Sequence, residues 1–111
     1  MNKIIAIDYD GTITDDTPYP KEAKIRPEAI KYIRLLYEKG YILVLWTARK
    51  EAYYFECITR LKKVDLYKYF TFNYDYGILG KIKADFYIDD KSVPGKLNWK
   101  QIYKHIIKNI N

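Results

Sequence analysis

The stretch IIAIDYDGTIT, residues 4–14, decides how the chain is read. Its apolar run, Ile4 to Ile7, is of the kind found in buried strands of parallel sheets, so residues 3–8 are expected to form one. The run ends in Asp8 and Asp10, followed by Gly11 and Thr12. Carboxylates are costly beside a buried strand unless something pairs with them. Side chains two apart along an extended chain point the same way, so Asp8 and Asp10 can face one ligand.

Working outward, residues 9–26 read as irregular, with prolines at 18 and 20. Pro27 suits the first position of a helix, and Ile30, Ile33, Leu36 and Tyr37 follow helical spacing up to Gly40, where a C-cap is expected. YILVLW (41–46) is the clearest strand, and Thr47, Ala48 and Arg49 follow it. A helix over 50–63 would bury Tyr54, Cys57, Ile58 and Leu61. A short strand near 70–73, a loop holding Gly77 and Gly80, and a strand over 84–88 ending in Asp89 and Asp90 come next. A last helix, 98–109, places Trp99, Ile102, Tyr103, Ile106 and Ile110 on one face.

Alternating strands and helices imply parallel strands joined by right-handed crossovers. The expected fold is α/β: a three-layer α/β/α, Rossmann-like arrangement around a small, mainly parallel sheet, in a single domain spanning 1–111. Ligands of such sheets sit outside the carboxyl ends of the strands. Asp8 to Asp10, Thr47, and Asp89 with Asp90 each follow a strand-like run, so all should converge on one rim.

Four carboxylates on one rim repel one another, and a divalent cation removes the conflict. Hard oxygen ligands without His or Cys favour Mg²⁺ over zinc, and Mg²⁺ commonly shares a substrate phosphate. Gly11 lets the backbone come close, with N–H groups available to phosphate oxygens. Thr47 offers a hydroxyl, and Lys81, in a Gly-flanked loop, a positive charge. Arg49 can bind phosphate or serve as a surface charge at a helix start. One of the paired carboxylates can attack phosphorus while the other protonates the departing oxygen and later deprotonates water.

Asp8-Tyr9-Asp10-Gly11-Thr12 after an apolar strand resembles the first motif of the haloacid dehalogenase superfamily of phosphohydrolases. Thr47 closing LVLWT, Lys81, and FYIDD (86–90) resemble the second, third and fourth motifs, in the right order over nearly the whole chain. LWTAR and KIKADFYIDDK point to the small capless phosphatase-like members. The resemblance implies that Asp8 is the nucleophile and a Mg²⁺ ligand. Asp10 would be the general acid/base, with its carbonyl on the metal. Thr47 and Lys81 would hold the phosphoryl group, with Lys81 preferred to the nearby Lys83, which adjoins the strand. Asp89 and Asp90 would complete the metal site, with Asp90 the direct ligand and Asp89 a partner of Lys81 or of a metal-bound water. With no cap domain the site would be open, admitting a bulky phosphorylated substrate such as a nucleic-acid end unless oligomerisation closes it.

Composition agrees. The chain has 111 residues, enough for one core, and 49% hydrophobic content argues against disorder. The single cysteine, Cys57, permits no internal disulfide and should pack in the second helix. No stretch approaches a membrane span, and no signal-peptide pattern opens the chain, so a soluble cytoplasmic protein is expected. The net charge is +6, and Lys96, Lys100, Lys104 and Lys108 recur every four residues. That stripe reads as a solvated helix face, with a patch for a polyanion as the sharper alternative. Asp15, Asp16, Asp85 and His105 read as solvated, and Trp46 and Trp99 as core. Two rival functions are a phosphoacceptor signalling module and a nucleic-acid-binding module whose binding would survive Asp8→Asn.

Overall fold

The computed structural model describes residues 3–18, 21–47, 52–71, 77–78, 81–82, 84–89 and 97–109. Along them run β1 (Ile4–Asp8), α1 (Pro27–Glu38), β2 (Ile42–Trp46), α2 (Ala52–Lys63), β3 (Gly77–Ile78), β4 (Lys81–Ile82), β5 (Phe86–Ile88) and α3 (Trp99–Lys108). β1 lies between β2 and β5, parallel to both. Ile4 is opposite Ile42, Asp8 opposite Trp46, and Ile7 opposite both Leu45 and Ile88. The parallel α/β expectation therefore holds.

Strand periodicity assigns the faces. Ile5 and Ile7, Leu43 and Leu45, and Ile88 share one face and all belong to the core. The same core takes Ala29, Tyr32, Ile33 and Leu36 from α1, Cys57 and Leu61 from α2, and Trp99 and Ile106 from α3. The chain steps from β1 to β2 and on to a parallel bridge at Phe70 in one direction. Right-handed crossovers stepping one way put their helices on one face, which explains why α1 and α2 share a core. The other face carries Ala6, Val44 and Tyr87, with Trp46 set edge-on against Tyr87 at 5.4 Å between ring centroids. Trp99 is buried as expected, whereas Trp46 is half-buried.

α1 begins with Pro27 at its first turn and ends as the sequence implied. Gly40 adopts φ +94°, its N–H donates to Tyr37 C=O (2.9 Å), and Tyr41 N–H reaches back to Leu36 C=O (3.3 Å). This paired closure is a Schellman motif, whose left-handed residue suits glycine. On α3, Asn98 caps the first turn by accepting from Gln101 N–H at 3.1 Å. His105 is exposed and Cys57 fully buried, both as expected.

Several expectations need correction. The segment after β1 is ordered by local bonds: Tyr9–Ile13 forms one wide, non-helical turn closed by Thr14 N–H on Tyr9 C=O (3.1 Å). Thr14 then bridges antiparallel to Ile25, with Asp15 N–H donating to Lys24 C=O and Arg26 N–H to Ile13 C=O, both at 2.8 Å. Of the strand placed at 70–73, Phe70 bridges in parallel to Leu43 and Thr71 N–H donates to Leu43 C=O (2.7 Å), while residues 72 and 73 lie outside the described residues. The loop placed around Gly77 and Gly80 contains an antiparallel pair, β3 with β4, so Lys81 stands on a strand. The interval between Ile78 and Lys81 has the length of the shortest hairpin connections, which explains the pairing. Asp85 is exposed, but it is more than solvated: its carboxylate accepts Ile4 N–H (2.7 Å) while its own N–H donates to Ile4 C=O (2.8 Å). Among the described residues no helix is long and apolar enough to cross a membrane.

Candidate functional site

Asp8 is the last residue of the central strand and is half-buried. Because Asp8 is opposite Trp46 and Ile7 opposite Ile88, Thr47 and Asp89 leave the two flanking strands at the same edge. Both are half-buried. The backbone thus brings Asp8, Thr47 and Asp89 to one rim, as the strand ends implied. Arg49 and Asp90 lie outside the described residues, as does the Lys81 side chain, although its backbone belongs to β4.

Past Asp8 the chain turns sharply. Asp10 (φ −70°, ψ 121°) and Gly11 (φ 79°, ψ −7°) have the dihedrals of the central residues of a type II turn. The second of these positions needs positive φ, hence glycine. Gly11 N–H is donated to Thr14 Oγ1 at 2.9 Å, so the donor expected to serve phosphate is already engaged in shaping the turn. Asp10 is exposed at the turn's apex.

Residues without an assigned role in the sequence hold this turn. Thr12 is fully buried and its hydroxyl donates to Asp8 Oδ2 at 3.4 Å, orienting the carboxylate. Trp99, at the start of α3, donates its indole N–H to Thr12 C=O at 3.0 Å. Arg26, just before α1, donates Nε to Thr14 C=O (2.7 Å) and Nη2 to Gly11 C=O (3.2 Å), and pairs with Asp16 (3.2 Å). Thr12 was visible in the motif without a role. Arg26 carried only its position before the helix-starting proline as a signal. Asp15 accepts Thr17 N–H at 3.0 Å, and bonds from Thr17's side chain and backbone hold its carboxyl below the usual range.

Among the described residues no three His, Cys, Asp or Glu side chains are gathered to hold a metal. Asp8 and Asp89 nevertheless supply hard oxygen donors at one edge, while Cys57 is buried in the core and His105 lies exposed on α3. That donor set suits Mg²⁺, which needs only one or two carboxylates beside water and substrate oxygens, and it does not suit zinc.

No family model matches the chain, and no curated protein does. A solved structure of a conserved protein from Bacteroides thetaiotaomicron is similar throughout, with a TM-score of 0.82 and 30% sequence identity over 100% of this chain and 94% of that one.

Proposed function

The chain belongs to one family with that conserved Bacteroides thetaiotaomicron protein, and on the residues that its strand ends bring together we propose that it is a Mg²⁺-dependent phosphomonoester hydrolase of the haloacid dehalogenase type. The observation that carries the reading is the placement of Asp8 at the tip of the central strand, oriented by Thr12 and flanked by Thr47 and Asp89.

In the first step an Asp8 oxygen attacks phosphorus, and the ester P–O bond breaks. The departing oxygen takes a proton from Asp10, whose exposed position lets it exchange protons with water. Asp10 then removes a proton from water, the water oxygen attacks phosphorus, and the bond to Asp8 breaks to release phosphate. Thr47, Lys81 and Arg49 are the groups assigned to the phosphoryl oxygens. Asp8, Asp89, Asp90 and the Asp10 carbonyl are assigned to Mg²⁺. Bound there, the ion would offset the repulsion between carboxylates and phosphate.

The three-layer α/β/α arrangement belongs to this reading. Ala6 and Val44, on the sheet face opposite the shared core, are buried, which favours a covering layer there. No cap is assigned, so the site is read as open.

The test is hydrolysis of p-nitrophenyl phosphate with Mg²⁺ or with chelator, by wild type, Asp8→Asn and Asp10→Asn. Turnover should need the metal and fall by about 10³-fold or more in either variant. Unimpaired turnover in Asp8→Asn would remove the covalent mechanism.

A further inference from the structure

We propose that the exposed lysines of α3 form a track for single-stranded nucleic acid and deliver its terminal phosphate to the Asp8 edge. The inference rests on the hydrolase reading and names a substrate class for it.

Lys100, Lys104 and Lys108 are all exposed, on a helix that carries no Asp or Glu. Residues four apart share a helix face and stand about 6 Å apart along the axis. Like charges at that spacing destabilise a helix, and the helix dipole disfavours Lys100 in the first turn while favouring Lys108 in the last. Among the described residues no carboxylate relieves them. Some other cations have partners: Arg26 pairs with Asp16, Arg34 with Glu38, and Arg60 with Glu22, while Lys62 and Lys68 lie over tyrosine rings. A row of cations kept at a cost to its own helix fits an anionic partner.

Placement identifies the partner. Trp99 ties the first turn of α3 to the Asp8–Thr12 turn, so the row starts beside the proposed site and runs away from it. One row of evenly spaced cations matches one line of phosphates. A polymer of phosphodiesters ending in a monoester satisfies both the row and the site, which an acidic peptide does not.

The test uses the full chain carrying Asp8→Asn, which should bind without turning over, and a fluorescent oligonucleotide phosphorylated at its 5′ or 3′ end. Binding should weaken about 20-fold between 50 and 200 mM salt from the three lysines alone, by the counterion release expected for three contacts on a single strand. The triple Lys100→Gln, Lys104→Gln, Lys108→Gln variant should bind at least about tenfold more weakly at low salt and lose about two units of the log–log salt slope. The triple Lys→Arg variant and Lys62→Gln/Lys63→Gln should bind as the parent does. With Asp8 intact, the triple Gln variant should lose kcat/KM on the oligonucleotide and keep it on p-nitrophenyl phosphate. Unchanged affinity and slope in the triple Gln variant, or equal affinity for polyglutamate, would overturn the track. Stripe-dependent binding without hydrolysis of either substrate would sustain the track and overturn the hydrolase reading instead.

Discussion

Trp99 donates its indole N–H to the carbonyl of Thr12 at 3.0 Å, joining the last helix to the turn that follows the first strand. Both residues are buried, so the bond has no water to replace it. Trp99→Phe keeps most of the packing but removes this donor from the buried Thr12 carbonyl. It should cost about 1–3 kcal/mol in urea unfolding, and activity should fall at temperatures where the fold persists.

The Thr12 hydroxyl donates to the carboxylate of Asp8, the proposed nucleophile. Thr12→Val keeps the shape and removes the donor, and should lower kcat roughly tenfold with KM little changed. Thr12→Ser should restore most of the loss. Steady-state kinetics on an aryl phosphate reads both, and equal activity in all three proteins would leave Thr12 a packing residue only.

Arg26 joins two carbonyls of the turn, and its side chain is only 18% exposed, whereas that of Asp16 is 83% exposed. Arg26→Met should destabilise by about 2 kcal/mol or more, since it strands the Gly11 and Thr14 carbonyls. Asp16→Asn breaks only a surface pair and should change stability by less than about 1 kcal/mol. Thermal unfolding of the two variants separates the roles.

Tyr41 precedes β2, is buried, and its hydroxyl has no hydrogen-bond partner among the described residues. Burial, and then Tyr103, raise its pKa above the ordinary value near 10. The folded state therefore holds this proton more tightly than the unfolded one. Its stabilising contribution is complete below about pH 10 and is lost as pH rises through the higher folded value. Tyr41→Phe should match or exceed wild-type stability near neutrality, because it removes an unsatisfied buried hydroxyl. It should also lose less stability above pH 10, as urea titrations across that range would register.

The elements legible in the sequence were those whose pattern is local. Ile4–Asp8 and Ile42–Trp46 announce themselves by unbroken apolar runs, and Pro27 and Gly40 bracket α1 through backbone constraints that need no distant partner. Residues 9–18 and 21–26 were opaque because their order comes from Thr14 and Arg26 bonding to backbone groups, which leaves no period. β3 and β4 have two residues each, too few for any alternation. The rim was readable as far as strand ends dictate it, at Asp8, Thr47 and Asp89. Its supports, Thr12, Arg26 and Trp99, act through contacts that only the folded chain creates.

The central position of β1 bears on how the chain is made. Ile4 leaves the ribosome well ahead of one of its neighbours, Asp85, which follows 81 residues later. Until then a short, greasy segment has an unmet edge, the condition under which nascent chains stick to one another or recruit chaperones. Translation finishes the sheet from its middle outward, so slowing synthesis before Phe86 should lower the soluble yield.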